Sequence, residues 1–313
     1  MRLHTTFPVP ARARGASAAM GNFDGVHLGH QWVIDQARND APLGIVTFEP
    51  HPRELFQPDA PPFRLMNREA RRHRLDKIGV AHLFEIPFNE KLASLSAADF
   101  AAHILARDLG LSHVAVGADF RFGKGREGDA PMLKTLGAIY GFDVTIAPLK
   151  ELGDMTISST AIREALSDGK PDLAARMLGH WHRIDGVVEH GHKRGRELGY
   201  PTANLSLDGL HLPKFGVYAV AVDVLTGPHK GSYHGAASLG SRPTFGDFVP
   251  ILEPYLFDFE GDLYGEDLSV ALVAFLRPEE KFDGLQPLID QMNADCAQAK
   301  EILTEKIPLP SAS

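Results

Sequence analysis

Cysteine is almost absent from this 313-residue chain, which contains only Cys296. A single cysteine cannot form an intrachain disulfide, and it cannot supply the several thiolates of a cysteine-based zinc site. This composition fits a reducing compartment, so we expect a cytoplasmic location. A small-residue stretch at 16–19 follows several arginines, but no long apolar segment precedes it, and we therefore expect no targeting peptide.

The chain also lacks an excess of positive charge and any long apolar run. Its formal net charge of −8 argues against a general binder of nucleic acids or anionic membranes, because both need a basic field. No apolar run approaches the roughly 20 residues of a membrane-spanning helix. We interpret local basic clusters, such as His192–Arg196, as pockets for small anions. The expected partners are therefore small molecules, with no nucleic acid and no membrane, and the expected state is a monomer or weak homo-oligomer.

What the chain does contain is enough residues for two domains, with a change of pattern near Gly179. Before it, short apolar runs alternate with helical segments, which predicts a parallel sheet covered by helices, with ligands at the carboxyl ends of the strands. After it, strands separated by turns rich in Gly, Pro and Asp favour a small antiparallel barrel with a closing helix. We predict one domain at residues 1–180 and another at 181–313.

The predicted strands are Ser17–Met20, Gly44–Phe48, Leu83–Ile86, His113–Gly117 and Val144–Ile146 in the first domain, and Ile184–His190, Gly216–Val224, Tyr233–Leu239, Leu252–Phe259 and Leu268–Phe275 in the second. The predicted helices are Gln31–Arg38, Arg68–Ile78, Ala97–Leu109, Pro131–Tyr140, Ala161–Leu166, Pro171–Leu178 and Leu285–Lys306.

The most informative segment is 18–30, where two histidines lie three residues apart at a strand-to-helix transition. Its glycines let the backbone turn tightly and approach a ligand, and the first amides of the following helix favour an anion. On a helix beginning near Leu28, His27 and His30 would face one phosphate and donate hydrogen bonds as charge builds on its oxygens. The alternative is that the histidines cap or pack and that the glycines only make a turn. The predicted residues for binding nucleotide phosphates here are Gly21, Asn22, Phe23, Asp24 (alternatively an Asx turn), Gly25, His27, Gly29 and His30.

A second phosphate element is predicted at Ile157–Arg163, where three hydroxyls stand at the start of a helix with Arg163 on its first turn. Hydroxyls, free amides and a guanidinium form an anion site, although an ordinary Ser/Thr cap explains the same pattern. The predicted anion-binding residues are Ser158, Ser159, Thr160 and Arg163.

Together the two elements resemble the nucleotidyltransferase superfamily, which is marked by His-x-Gly-His and a later Ser-x-Thr-x-x-Arg. More closely, nearly the whole chain is similar to the bacterial family of bifunctional riboflavin kinases/FMN adenylyltransferases, also called FAD synthetases. The segments that carry this resemblance are Gly21–His27, Thr47–Pro52, Gly117–Gly123, Ser158–Arg163, Gly195–Asn204, Arg242–Phe245 and Asp262–Gly265.

The resemblance implies a Rossmann-like nucleotidyltransferase domain that transfers the adenylyl group of ATP to FMN and yields FAD and pyrophosphate. His27, His30, Ser159 and Arg163 would steady the triphosphate while the FMN phosphate attacks in line. The resemblance also implies that Asp119, Phe120 and Phe122 border the flavin, and the alternative for these three is local packing.

For the second domain the resemblance implies a six-stranded riboflavin kinase barrel that uses ATP and Mg²⁺ to convert riboflavin to FMN. Glycines allow close approach to a triphosphate, and Thr202 and Asn204, two apart in an extended segment, project to one side as oxygen ligands for Mg²⁺. Without the resemblance, a turn leading into a strand is the preferred interpretation of Pro201–Asn204, because the motif is short. The kinase ATP-binding residues are then Lys193, Gly195, Arg196, Gly199, Pro201, Thr202, Asn204 and Arg277.

Glu253, near the start of the predicted strand 252–259, occupies the position of the family carboxylate that accepts the proton of the riboflavin 5′-hydroxyl. The alternative for Glu253 is a solvated strand-end glutamate, and for Arg277 an exposed strand-end arginine. The chain departs from the family pattern at Ser238, where asparagine is usual, and at His180-Trp181, where Arg-Pro is usual.

Two competing functions remain open from the sequence. One is a non-catalytic flavin or nucleotide sensor that keeps the pockets, and the other is an enzyme that retains only one of the two activities. We reject a zinc site at His180, His182, His190 and His192, because no acidic or cysteine ligand completes it.

Overall fold

The computed structural model describes residues 1–148, 151–152, 155–189, 200, 202–244 and 247–306. The chain divides into two compact units, residues 1–61 with 71–157 and residues 62–70 with 158–313. Residues 159–178, which we assigned to the first domain, make their contacts within the second unit. The boundary at residue 180 itself stays a prediction.

The first unit contains a six-stranded parallel sheet in the order β1-β4-β3-β2-β5-β8. Its central strands are apolar on both faces, and all four residues of β2 are buried, as a sheet covered on both sides requires. The strands of this unit are β1 Arg2–His4, β2 Ser17–Met20, β3 Leu43–Glu49, β4 His82–Pro87, β5 His113–Gly117, β6 Arg121–Phe122, β7 Gly128–Asp129, β8 Asp143–Ala147, β9 Glu151–Leu152 and β10 Met155–Thr156.

Helices connect these strands as the alternating pattern predicts. They are α1 Leu28–Gln36, α2 Pro52–Phe56, α3 Arg68–Lys77, α4 Glu90–Ala93, α5 Ala97–Asp99, a π-helix Phe100–Leu109 and α6 Ala130–Tyr140, with 3₁₀ turns at Ala11–Ala13 and Lys124–Arg126. The predicted helix over 97–109 is present, and over Phe100–Leu109 it is a π-helix, because Gly110 N donates to Leu105 O, the i→i+5 bond of this helix type. Leu105 and Leu133 pack with Phe84 and Val116 into the core of this unit.

The second unit contains a six-stranded antiparallel sheet in the order β11-β16-β13-β14-β15-β12. Next to its two edge strands, Glu189 N donates to Asn204 O at 2.9 Å, so the sheet nearly closes into a barrel. The strands are β11 Arg183–Val187, β12 Leu205–Ser206, β13 Gly216–Val224, β14 Gly231–Thr244, β15 Asp247–Leu256 and β16 Asp267–Arg277, and the helices are α7 Ser159–Ser167, α8 Pro171–Leu178 and α9 Leu285–Lys306.

The predicted closing helix α9 covers one side of the barrel. Its Ala299 and Leu303 pack on a patch of small barrel residues that includes Ala219, Ala221 and Ala271. Alanines on the strands let the helix backbone approach the sheet closely, and apolar area is removed from water on both sides. The predicted fold class, a parallel-sheet domain followed by a six-stranded antiparallel barrel with a closing helix, is confirmed.

None of the helices among the described residues combines the length and the apolar character that a membrane crossing needs.

Candidate active sites

The two histidines of the first unit stack on each other at the start of α1. Their ring centroids are 3.6 Å apart and their planes differ by 14°. His27 is the N-cap of α1, and its Nδ1 accepts a hydrogen bond from the backbone N–H of His30 at 3.2 Å. Because Nδ1 of His27 accepts, the proton of its neutral ring lies on Nε2. The capping role that we set out as an alternative is therefore real, and it leaves one N–H of His27 as a donor.

The environment keeps His30 neutral. Burial, together with the neighbouring His27 ring, holds the pKa of His30 well below its ordinary value. Its Nδ1 is buried and has no hydrogen-bond partner within the part of the chain that the structure describes. A buried ring nitrogen without a partner is costly in a folded protein, unless a ligand atom completes it. Phe23 supports the other side of the ring, edge-on at 5.3 Å between centroids.

The loop before the histidines is mostly buried. Phe23 is only 1% exposed and Asp24 is buried as well, whereas Gly21 and Asn22 keep part of their surface exposed. Gly25 adopts a φ of 88°, which favours glycine. A Cβ on Gly29 would lie 3.2 Å from the His27 ring, so this glycine is what allows the ring to lie against the helix.

The predicted Ser/Thr/Arg element belongs to the second unit. Ser158 is the N-cap of α7, where its Oγ accepts from Ala161 N at 3.1 Å, and Thr160 is exposed on the first turn. The Nε of Arg163 donates to Phe63 O at 2.6 Å, and the guanidinium lies over the Phe63 ring at 5.5 Å. Sequence analysis missed Phe63, because a backbone carbonyl 100 residues away leaves no signal in a motif.

The predicted flavin residues divide into exposed and buried members. Asp119 is exposed and Phe120 is half-buried, whereas Phe122 is buried in the core of the first unit and stacks on Phe120 at 5.7 Å. Local packing therefore accounts for Phe122, and Asp119 and Phe120 are the two members with surface for a ligand.

A small cavity of about 40 Å³ lies beside Thr202. Its walls combine apolar side chains with one carboxylate, and they suit the edge of an aromatic ring better than a polyanion. The residues lining this cavity are Val188, Thr202, Ala203, Leu256, Phe259, Gly261, Asp262, Leu263 and Tyr264. Thr202 pairs with Tyr255 of β15 in an isolated antiparallel bridge, which confirms that the segment is extended at this point.

Asn204 lies two residues beyond Thr202 and is buried, with only 4% of its surface exposed. Its Nδ2 donates to Glu189 O at 3.4 Å, which fixes the orientation of the carboxamide. The hydroxyl and carboxamide oxygens that we expect to hold Mg²⁺ are hard donors on the segment that borders the cavity, and this donor set fits the ion.

Glu253 is half-buried and pairs with Ser238 across β14 and β15. Its expected place near the start of a strand is wrong, because the pairing of β15 with β14 extends back to Asp247, six residues earlier. Glu253 therefore stands in the middle of a strand, where the backbone fixes it more firmly than at a frayed end. Ser238, which stands where the family pattern has asparagine, is its direct cross-strand neighbour.

Arg277 is held by the closing helix. Its Nε lies 3.0 and 3.1 Å from the two carboxylate oxygens of Asp295, and another of its nitrogens donates to Asp295 Oδ2 at 2.9 Å. Its Nη1 donates to Pro278 O, and its guanidinium lies over the ring of Phe282. Asp295 is a residue that sequence analysis missed. Arg277 therefore already has a carboxylate partner, and nucleotide binding by Arg277 stays a prediction.

Several predicted kinase residues lie outside the described residues. They are Lys193, Gly195, Arg196, Gly199 and Pro201. The flanking Tyr200 is described, and its hydroxyl donates to Asn293 Oδ1 of α9 at 2.6 Å. Across the described residues, no group of three or more His, Cys, Asp or Glu side chains is arranged to hold a metal ion.

Comparison with known proteins agrees with this division into two sites. A family described as FAD synthetase matches residues 9–161, and a family described as riboflavin kinase matches residues 178–303. A bifunctional riboflavin kinase/FMN adenylyltransferase of Pseudomonas fluorescens is 43% identical over 296 residues, which cover 92% of this chain and 93% of that protein. The protein of the same name from Escherichia coli K12 is 38% identical, with 93% and 94% covered.

A solved structure from Streptococcus pneumoniae, described as a macrolide-efflux protein, has a similar fold. Its TM-score is 0.78 at 34% identity, and the match covers 94% of this chain and 95% of that one.

Proposed function

Because the chain belongs to the bacterial family of bifunctional riboflavin kinases/FMN adenylyltransferases, and its activities are those two, we propose that separate sets of residues handle the phosphates of the two reactions. The barrel phosphorylates riboflavin to FMN, and the His27–His30 loop takes part in the adenylylation of FMN to FAD. The observation that carries the second assignment is the stacked histidine pair with the buried Nδ1 of His30, which has no hydrogen-bond partner among the described residues.

In adenylyl transfer, an oxygen of the FMN phosphate attacks the α-phosphorus of ATP, and the bond to the β-phosphate oxygen breaks to release pyrophosphate. We propose that His27 donates from Nε2 and His30 from its ring to phosphate oxygens, where negative charge grows in the transition state. Neither histidine needs to act as a nucleophile. Ser159, Thr160 and Arg163 are the further proposed triphosphate contacts, because hydroxyls, first-turn amides and a guanidinium favour an anion.

We propose that Asp119 and Phe120 border the flavin in this reaction. Phe120 keeps part of its ring exposed above Phe122, and such a face suits an isoalloxazine ring.

For the kinase reaction, we propose that the cavity beside Thr202 receives part of an aromatic ring of a substrate and that Glu253 accepts the proton of the riboflavin 5′-hydroxyl. Thr202 and Asn204 would hold Mg²⁺, which neutralises charge on the ATP phosphates when it is bound. Asn204 is prepared for this role, because its Nδ2 is engaged by Glu189 O and its carboxamide cannot turn freely. The oxygen that accepts the phosphoryl group comes from riboflavin, and ADP leaves.

The test of both assignments is a product analysis with ATP, Mg²⁺ and either riboflavin or FMN, in which FMN and FAD are separated by chromatography. His30→Ala should abolish FAD formation while FMN still accumulates from riboflavin. Asn204→Ala should abolish riboflavin phosphorylation while supplied FMN still becomes FAD. Exposed His103→Ala and Gln298→Ala, one in each unit, are matched controls that should retain both activities.

The same assay separates the competing functions. Unchanged FAD output in His30→Ala would refute the histidine assignment, and normal phosphorylation in Asn204→Ala would refute the magnesium assignment. The absence of any product from the unaltered protein would indicate a sensor, and one product alone would indicate a single retained activity.

We also propose a cytoplasmic location and a monomeric or weakly associating state. The single cysteine and the net charge of −8 support the first proposal, since neither a disulfide framework nor a basic membrane-binding field is encoded. Light scattering across a concentration series measures the second proposal.

A further inference from the structure

The loop before the histidines adopts a backbone conformation that is unfavourable for two of its residues. Phe23 and Val26 adopt positive φ angles of 51° and 43°, on either side of Gly25. The left-handed region is unfavourable for residues with a Cβ and most of all for a β-branched residue such as Val26. Such a conformation persists only when surrounding groups hold it.

Two side chains from outside the turn hold it at its carbonyl groups. The Oγ1 of Thr47 on β3 donates to Asn22 O at 3.2 Å, and the Nε2 of Gln31 on α1 donates to Val26 O at 2.8 Å. Thr47 is completely buried, so its hydroxyl does not exchange this partner for water. One bond holds the carbonyl before Phe23, and the other holds the carbonyl directly before His27.

The held turn determines where the histidines stand. His27 follows the second held carbonyl directly and has the extended backbone of an N-cap, with φ of −66° and ψ of 171°. From that position its ring stacks on His30 and accepts the His30 amide. A shift of the turn would therefore move both rings together.

We propose that Thr47 and Gln31 are positioning residues for adenylyl transfer, which fix the His27–His30 pair against the reacting phosphate by holding the turn at Asn22 O and Val26 O. This inference rests on the proposed function of the two histidines. Neither Thr47 nor Gln31 needs to touch a substrate, and their effect is on the transition state, since the histidines act where charge develops.

The test uses the full chain and near-isosteric changes that remove one donor each. Thr47→Val and Gln31→Met should lower kcat of FAD formation about tenfold each, with KM for ATP changed much less. Thr47→Ser, which keeps the hydroxyl, should restore most of the loss. Hydrogen exchange at the His30 amide should become faster in both deficient variants, because its bond to His27 Nδ1 is loosened.

Matched controls remove equivalent groups elsewhere in the same unit. Gln36→Met lies on the same helix, and Thr135→Val removes an exposed hydroxyl that bonds only to its own helix at Pro131 O. Both should keep wild-type FAD formation. Hydrogen exchange at the buried amides of β2 and β5, measured on each variant, reports whether the first unit still folds.

Three results would overturn the proposal: wild-type kcat in Thr47→Val and Gln31→Met, a rise in KM for ATP with kcat unchanged, or a parallel loss of both activities that Thr47→Ser does not restore. His30→Ala, assayed beside them, separates this failure from that of the proposed function. If His30→Ala loses FAD formation while the other variants keep it, only the positioning role fails. If His30→Ala keeps it, the histidine assignment itself fails.

Discussion

The two arginines that the sequence predicts as nucleotide-binding residues, Arg163 and Arg277, donate hydrogen bonds to acceptors of different charge. Arg163 donates its Nε to a neutral carbonyl, Phe63 O, so its positive charge is not neutralised by that contact. Arg277 is engaged by both oxygens of the buried Asp295. A carboxylate pairs the charge that a phosphate would otherwise attract. A nucleotide phosphate that bound Arg277 would therefore have to compete with Asp295.

His182, just before β11, makes stability depend on pH. Burial, followed by the charges of His180 and His211, lowers the pKa of His182 from 6.5 to about 3. Between these values the unfolded chain binds a proton that the folded chain does not, so stability is lost as the pH falls below 6.5. The free energy of unfolding falls by about 1.4 kcal/mol per pH unit over this range, which amounts to about 2 kcal/mol between pH 6.5 and 5.

His182→Gln should remove that share of the pH dependence. Urea unfolding at pH 7 and pH 5 measures it, and the loss of stability between the two should be about 2 kcal/mol smaller in the variant than in the unaltered protein. The exposed His103→Gln is the control for the loss of a histidine. Equal pH dependence in the His182→Gln variant and the unaltered protein would contradict the assignment.

At the scale of elements, the closing helix α9 is fastened to the barrel by charge as well as by packing. Asp295 is buried on α9, and it bonds Arg277 at the end of β16 and Gln291 one turn earlier on its own helix. Removing one member of a buried ion pair lowers stability by more than the pair itself contributes, because the other charge is left buried without its partner.

Asp295→Ala should therefore destabilise the second unit by about 3 kcal/mol, a value near the lower end for buried pairs because Arg277 keeps some exposure. Thermal inactivation of the kinase activity measures the effect. Asp290→Ala, five residues earlier on the same helix and exposed, is the matched control and should cost much less. A loss for Asp295→Ala no larger than for Asp290→Ala would show that packing alone holds the helix.

The sequence predicts elements better than it predicts their partners. The bounds of β2, β5, β13, α8 and α9 agree with the predicted ranges, because apolar periodicity and turn residues are local signals. The three-residue strand β1 was missed, since three residues are too few to show a period and its pairing with β4 involves residues 80 positions away. The π-helical geometry of Phe100–Leu109 could not be predicted from the sequence for a related reason. One face of the segment is apolar whether the helix is α or π.

The candidate sites follow the same rule. The motifs predict His27, His30 and Asn204, whose spacing is local. They predict neither Phe63 O beside Arg163 nor Asp295 beside Arg277, because these contacts join distant segments. At this scale the structure adds partners to residues that the sequence had already named.

At the scale of the whole molecule, the chain has separate cores that share no residue. The core of the first unit includes Leu105, and the core of the barrel includes Leu272, and both side chains are fully buried. Truncating either to alanine removes buried methyl groups and leaves a cavity, which costs about 2 to 5 kcal/mol. In each case we expect the loss of stability in the unit whose core has lost the contacts.

One variant in each core therefore tests whether the two activities depend on units that unfold independently. Leu105→Ala should lower the temperature at which FAD formation from FMN is lost and leave riboflavin phosphorylation at its wild-type temperature. Leu272→Ala should lower the temperature at which riboflavin phosphorylation is lost; its effect on FAD formation does not enter the test, because Ser159 and Arg163 belong to the second unit. The measurement is residual activity of each kind after brief heating and cooling of one sample. If Leu105→Ala shifts both inactivation temperatures equally, the units unfold together, and the chain is a single cooperative structure with two sites rather than two folds joined in one chain.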